Sequence, residues 1–220
     1  MAAPSWLGTA LLILVIASLP SVAWFFWMRR VMLRRQSAII RGLEERLQPR
    51  DKQYWLIGYL VGFAARYTLR DPQAPRIWVT YTTPPYHVFF YLPVIILGRK
   101  RERLEVAVEP SSPRLLPGTA YVYRPLIATI ALRIRKVRSR GGRWREGSIK
   151  IKGVGYRYLH NSKQALDLAV ALAQKLEGLG EVQMVFVDAA EKTLGASLGI
   201  QGQQDVPRTV ENVVKAVKTL

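Results

Sequence analysis

Cysteine is missing from all 220 residues, which excludes disulfides, thiolate metal ligands and a cysteine nucleophile. Histidine is nearly as scarce, with His87 and His160 far apart in sequence, so no spacing suited to a structural zinc site exists. Acidic residues are few: 15 Asp and Glu face 33 Lys and Arg, a formal net charge of +18. The absence of cysteine together with heavy arginine usage gives a thermophile-like composition. Internal repeats and low-complexity tracts are lacking as well. The glycines between residues 194 and 202 do not follow the phosphate-loop pattern, because no Lys-Ser or Lys-Thr pair closes them, and they read as a structural turn. No serine, histidine and carboxylate constellation stands out. No cofactor or metal site is therefore expected, and the chain leans away from catalysis.

Charge is also absent from the twenty-three residues 6–28, and this lack organises the rest. As a helix they would reach roughly 34 Å, enough for a hydrocarbon core of roughly 30 Å. Trp6 lies near one end, Trp24-Phe25-Phe26-Trp27 at the other, and Arg29, Arg30, Arg34 and Arg35 follow. Aromatic belts with a cationic flank on one side predict a single-pass cell-membrane protein, N-terminus outside and main domain cytoplasmic. Ser21-Val22-Ala23 resembles a signal-peptidase site, the competing reading, but the preceding segment carries no Lys or Arg and is long for a signal peptide. Residues 1–28 are thus the anchor, 29–50 a juxtamembrane helix carried by Ile39, Leu43 and Leu47, and 51–220 a cytoplasmic domain.

The net charge is uneven: +7 over residues 29–76, +12 over 99–158 and −1 over 159–220. Asp51 predicts an N-cap for a helix over 52–70, stopped by Asp71-Pro72, with Gly58 and Gly62 allowing close packing. Residues 77–98 also lack formal charge. Their β-branched and aromatic start and their prolines predict two strands joined near Pro84-Pro85, with a second membrane element as the alternative. Leu104, Val106 and Val108 alternate as in a half-buried strand. Residues 120–138 read as extended and broken at Pro125, and 148–158 as a strand with a bulge at Gly153. Asn161 with Gln164, and Asp188 with Glu191, predict two capped helices around a central strand at 182–187, and a last helix starts near Pro207. The fold class expected is α+β: a transmembrane helix, an antiparallel sheet, then alternating helix and strand elements.

The strongest candidate site is a basic hairpin. Arg133, Arg135, Lys136, Arg138 and Arg140 form one arm, Arg143, Arg145, Lys150 and Lys152 the other, and Trp144 sits near the tip. Such a field could hold anionic headgroups, phosphates or an acidic partner, and the tryptophan could stack on a base. The expected function is a membrane-anchored, non-catalytic binding or assembly module whose basic face meets anionic lipid or an acidic partner subunit. The alternatives are a membrane-tethered nucleic-acid-binding protein and a membrane-associated enzyme built around Asp188 and His160. The cluster Arg99 to Arg103 reads as a solvated strand entrance.

Overall fold

The computed structural model describes residues 5–58, 60–98, 100–110, 116–125, 127–139, 141, 143–200 and 205–220. The first element, α1 (Ser5–Leu47), is one helix of 43 residues that passes through Pro20. Its first half is bare: Leu11, Leu12, Ile13, Val15, Ile16 and Leu19 are all more than half exposed. The helix contains an 18-residue window of mean hydropathy 2.2, none of it buried, and is long and apolar enough to cross a membrane. Its second half behaves differently. Met32, Gln36, Ile39 and Leu43 are buried at helical spacing, so this part of the helix belongs to the core of the domain. Gln48 takes φ 43° and the chain turns ahead of Pro49.

A nine-stranded sheet follows, in the order β1-β2-β3-β4-β9-β8-β5-β7-β6. Its strands are β1 (Asp51–Leu56), β2 (Gly62–Thr68), β3 (Arg76–Thr82), β4 (Glu102–Glu109), β5 (Ala120–Tyr123), β6 (Arg145–Ile151), β7 (Val154–His160), β8 (Glu181–Asp188) and β9 (Thr193–Ile200). All eight pairings are antiparallel. The remaining helices are α2 (Leu92–Leu97), α3 (Ala128–Ser139), α4 (Lys163–Leu176) and α5 (Val206–Lys218). The second half of α1, α4 and α5 cover one face, where Ile39, Leu43, Leu172, Leu176, Val210 and Val213 meet Val79, Val106, Val122 and Ala196 in the main core. On the other face, Ile130, Ile134 and Val137 of α3 close a smaller core over Tyr121, Leu159, Met184 and Phe186.

The expected α+β class is found, with an antiparallel sheet throughout. Several elements differ. Residues 52–70 form the β1–β2 hairpin instead of a helix; Asp51 pairs with Thr68, and Gly58 and Leu60 turn the chain at positive φ. Strand β2 buries alternate residues Phe63, Ala65 and Tyr67, a period of two that the uniformly apolar run concealed. In residues 77–98 the first strand is present, but a 3₁₀ turn (Phe89–Tyr91) and α2 replace the second. Residues 128–139 are helical, because Ile130, Ile134 and Val137 all turn inward while Leu132 is 66% exposed. Gly153 is no bulge: Lys152 and Gly153 have φ 43° and 85°, a two-residue hairpin turn in which glycine tolerates what a Cβ would resist. Asp188 accepts from the N–H groups of Ala190 and Glu191, yet the chain enters β9 there instead of a helix. Gly195 and Gly199 are therefore strand residues, while Gly202 lies outside the described residues. At α4 no side chain caps the first turn, since the Asn161 Oδ1 accepts from the Thr119 N–H.

Candidate functional site

The arrangement with most chemical content lies where α1 leaves its bare half. Trp24 Nε1 donates to the carbonyl of Tyr86 at 2.8 Å, and its ring meets Phe89 edge-on with centroids 6.0 Å apart. Phe25 meets His87 in the same manner at 6.0 Å, and burial holds the imidazole below its ordinary value. Residues 84–97 thereby form a collar fixed to the foot of the apolar helix. Pro84-Pro85 disfavours the helical region ahead of each proline, and Pro93 sits at the first turn of α2, where its missing N–H costs little. Of α2 only Ile95 is buried. Val88, Phe90, Val94, Ile96 and Leu97 are all exposed, Leu97 to 84%. Five exposed large apolar side chains in ten residues form a patch of the kind that marks an interaction surface.

Between α1 and α2 lies a cleft of about 620 Å³, whose lining includes Met28, Val31, Met32, Ile95 and Ile96 on its apolar side. Its floor is an ion pair: Arg35 Nη1 and Nη2 meet the two oxygens of Glu102 at 2.6 and 2.7 Å. Glu102 is 5% exposed and also accepts from the Tyr81 hydroxyl at 2.7 Å. Burial, followed by the Glu102 charge, pushes the Tyr81 phenol well up, so it remains a donor. Lys100 and Arg101 stand on the rim. Lys100 Nζ donates to the hydroxyl of Tyr91, a neutral partner, and no carboxylate among the described residues pairs with it. Arg101 reaches one oxygen of Glu181 and Arg124 takes the other at 2.5 Å, so one carboxylate serves two guanidiniums.

The predicted basic hairpin does not exist as such. Arg133, Arg135, Lys136 and Arg138 lie on helix α3, Arg145 and Lys150 on β6, the edge strand, with Arg143 ahead of it and Lys152 in the turn after it, so the cations diverge. Arg133 leaves the group altogether: it pairs with Glu105, lies 3.9 Å from Glu191 and stacks 4.5 Å from the centroid of Phe186. Arg138 pairs with Glu146 at 2.5 Å, and Lys152 with Glu177 at 3.5 Å. Arg135 and Arg138 do converge, with Arg157 of β7, on a shallow cleft of about 370 Å³ between α3 and the sheet. Lys136, Arg143, Arg145 and Lys150 are separately exposed, and Arg140 lies outside the described residues. Trp144 is half-buried against the α3 core instead of standing free between the cations. Five strand steps separate β4 from β6, about 24 Å at the usual spacing, so these cations stand well away from the foot of α1.

Asp188 and His160 do not share a pocket. Asp188 accepts from the Tyr121 hydroxyl at 2.5 Å, on the α3 face, whereas His160 sits opposite Ala120 in the ladder, one residue out of phase and on the α4 face. Among the described residues no group of three His, Asp or Glu could hold a metal ion.

Sequence reasoning missed Glu102, although a signal was there. It shares the parity of Leu104, Val106 and Val108, which marks an acid on the buried face of a strand. Compared with known proteins, the chain matches no family model and no curated protein at a significant level, so geometry alone carries the functional reading.

Proposed function

We propose that this is a membrane-anchored, non-catalytic binding or assembly module whose α+β domain is seated against the bilayer. In this reading the first half of α1 spans the membrane with the N-terminus outside, and Arg29, Arg30, Arg34 and Arg35 keep the domain on the cytoplasmic side. Residues 84–97 lie in the headgroup region beside it, their apolar side chains facing the acyl chains. The observation that carries the proposal is the docking of this exposed apolar segment onto Trp24 and Phe25, the aromatic end of the uncharged run. Aromatic rings at that end favour the interfacial level, so the segment tied to them shares it.

The basic surface then divides into two uses. Lys100 and Arg101 would meet anionic headgroups. The cleft of Arg135, Arg138 and Arg157, on the opposite face of the sheet from α1, would receive an acidic partner subunit. A nucleic-acid role is less favoured, because Trp144 is half-buried against the α3 core and the cations around it diverge.

The test is amide exchange of the full chain in nanodiscs, combined with alkaline extraction and protease protection of a C-terminal tag. Resistance to extraction, a tag digested only from the cytoplasmic side, and slowed exchange over residues 86–101 in the bilayer relative to detergent are expected. Extraction at alkaline pH, or a tag digested from outside, would contradict the reading.

A further inference from the structure

We infer that the cleft between α1 and α2 is a site for one anionic phospholipid, its phosphate held by Lys100 and Arg101 and an acyl chain laid along Met28, Val31 and Ile96. The inference rests on the proposed seating of the domain and adds a specific ligand to it.

Three features of the cleft select this chemistry. Its upper wall begins at Met28, the last residue of the uncharged run, and Arg29-Arg30 follow immediately. In a spanning helix that is the depth at which hydrocarbon gives way to phosphate. Its lining combines methionine and isoleucine side chains with Lys100 and Arg101, a match for an amphiphile. A water-soluble anion would leave the apolar side chains uncovered, and a neutral lipid would leave Lys100 with only a phenol for a partner.

The charge balance points the same way. Arg35 and Glu102 close on each other through two bonds, which takes the carboxylate lining the cleft out of play. Glu181 divides itself between Arg101 and Arg124, and Lys100 has only the Tyr91 phenol and its ring face, 4.5 Å away. Lys100, which no carboxylate among the described residues meets, therefore offers positive charge on the short connection between α2 and β4, beside Arg101. A volume of about 620 Å³ lies within the roughly 300–1,000 Å³ of ordinary ligand sites, sufficient for a headgroup and the start of its chains. Ile96, which lines the cleft, and its neighbour Leu97 are both exposed.

The test uses the full chain in mild detergent, mixed with phosphatidylglycerol and phosphatidylcholine, with retained lipid counted by native mass spectrometry. One phosphatidylglycerol per chain is expected, in preference to phosphatidylcholine and resistant to excess inorganic phosphate. Lys100→Gln with Arg101→Gln should weaken retention about thirtyfold, which is about 2 kcal/mol for two interfacial cations. Lys100→Gln alone, which leaves the Glu181 bridge intact, should weaken it about fivefold. Ile96→Trp, which fills the apolar side, should also expel the lipid. Equal retention of both lipids, retention unchanged in these variants, or displacement by phosphate alone would overturn the inference. Alkaline extraction of the same variants separates the two readings: a chain that stays in the membrane but loses its lipid speaks to the cleft, and one that is extracted speaks against the anchor.

Discussion

Replacing Arg35 by methionine should expose how firmly the anchor and the domain are joined. The arginine approaches both oxygens of Glu102 within 2.7 Å, and the carboxylate would remain buried with only the Tyr81 hydroxyl to answer it. Breaking a fully buried pair costs about 3–5 kcal/mol. The Arg35 side chain is 37% exposed against 6% for Glu102, so water partly screens the pair and relieves the orphaned acid. The expected loss is about 2–3 kcal/mol. For a chain of this size that lowers Tm by about 5–10 °C. Glu102→Gln alone should cost less, since the Tyr81 hydroxyl can still donate to the amide oxygen and Arg35 can turn to water. The double variant should be more stable than Arg35→Met by itself, because the cost comes from the unpaired charge. Thermal unfolding of the full chain in detergent, followed by tryptophan fluorescence, measures all three. An Arg35→Met loss below about 1 kcal/mol, or single losses that simply add, would refute the reasoning.

Gly195→Ala should prevent folding or cost about 3 kcal/mol, because an added Cβ would lie 1.9 Å from the Val106 carbonyl oxygen, within the β4–β9 ladder; expression and a denaturant melt measure it. Arg133→Met should cost about 1 kcal/mol, because Glu105 keeps Arg103 at 3.3 Å and the methionine still covers Phe186, and a double-mutant cycle with Glu105→Gln in the same melt should show a coupling of about that size. Asp71 is held below its ordinary 3.8 by the Lys218 bond, and Glu211 below 4.5 by Lys215 and then Arg46. Depressed carboxylates stabilise the fold above their ordinary values and lose that contribution as pH falls through the folded ones. Tm should therefore be level from neutral pH to about 5 and fall below about 4, and Lys218→Met should flatten part of that fall.

Local pattern made some elements readable from sequence. The alternation in β4, the central β8 and the valine face of α5 each follow from residues within one element. The failures share a cause in competing periods. Ile130, Leu132 and Ile134 satisfy a period of two, but Ile130, Ile134 and Val137 satisfy a helical one, and only the packed Tyr121 and Phe186 decide between them. The twelve uncharged residues that make up most of the β1–β2 hairpin present no alternation, because both faces carry apolar side chains. At the candidate site, cations close in sequence are not close in space, because a helix and an edge strand send them apart and Arg133 turns onto Phe186 at the α3 core. The collar could not be read at all. Trp24 and Tyr86 are 62 residues apart, and nothing in either neighbourhood names the other. Glu102 was legible by parity, its partner Arg35 only as one cation among several.

The central claim is that residues 84–97 lie in the bilayer interface beside a spanning α1. Because the chain has no cysteine, single nitroxide labels can be placed at Ile13→Cys, Leu97→Cys and Leu132→Cys without altering any native thiol. Collision rates with oxygen and with a water-soluble nickel chelate in reconstituted vesicles report depth. Labels at positions 13 and 97 should favour oxygen and be shielded from the chelate, while position 132, 66% exposed on α3, should behave as water-accessible. A label at 97 as accessible to the chelate as one at 132, with 13 still shielded, would leave the anchor standing and contradict the seating of the domain.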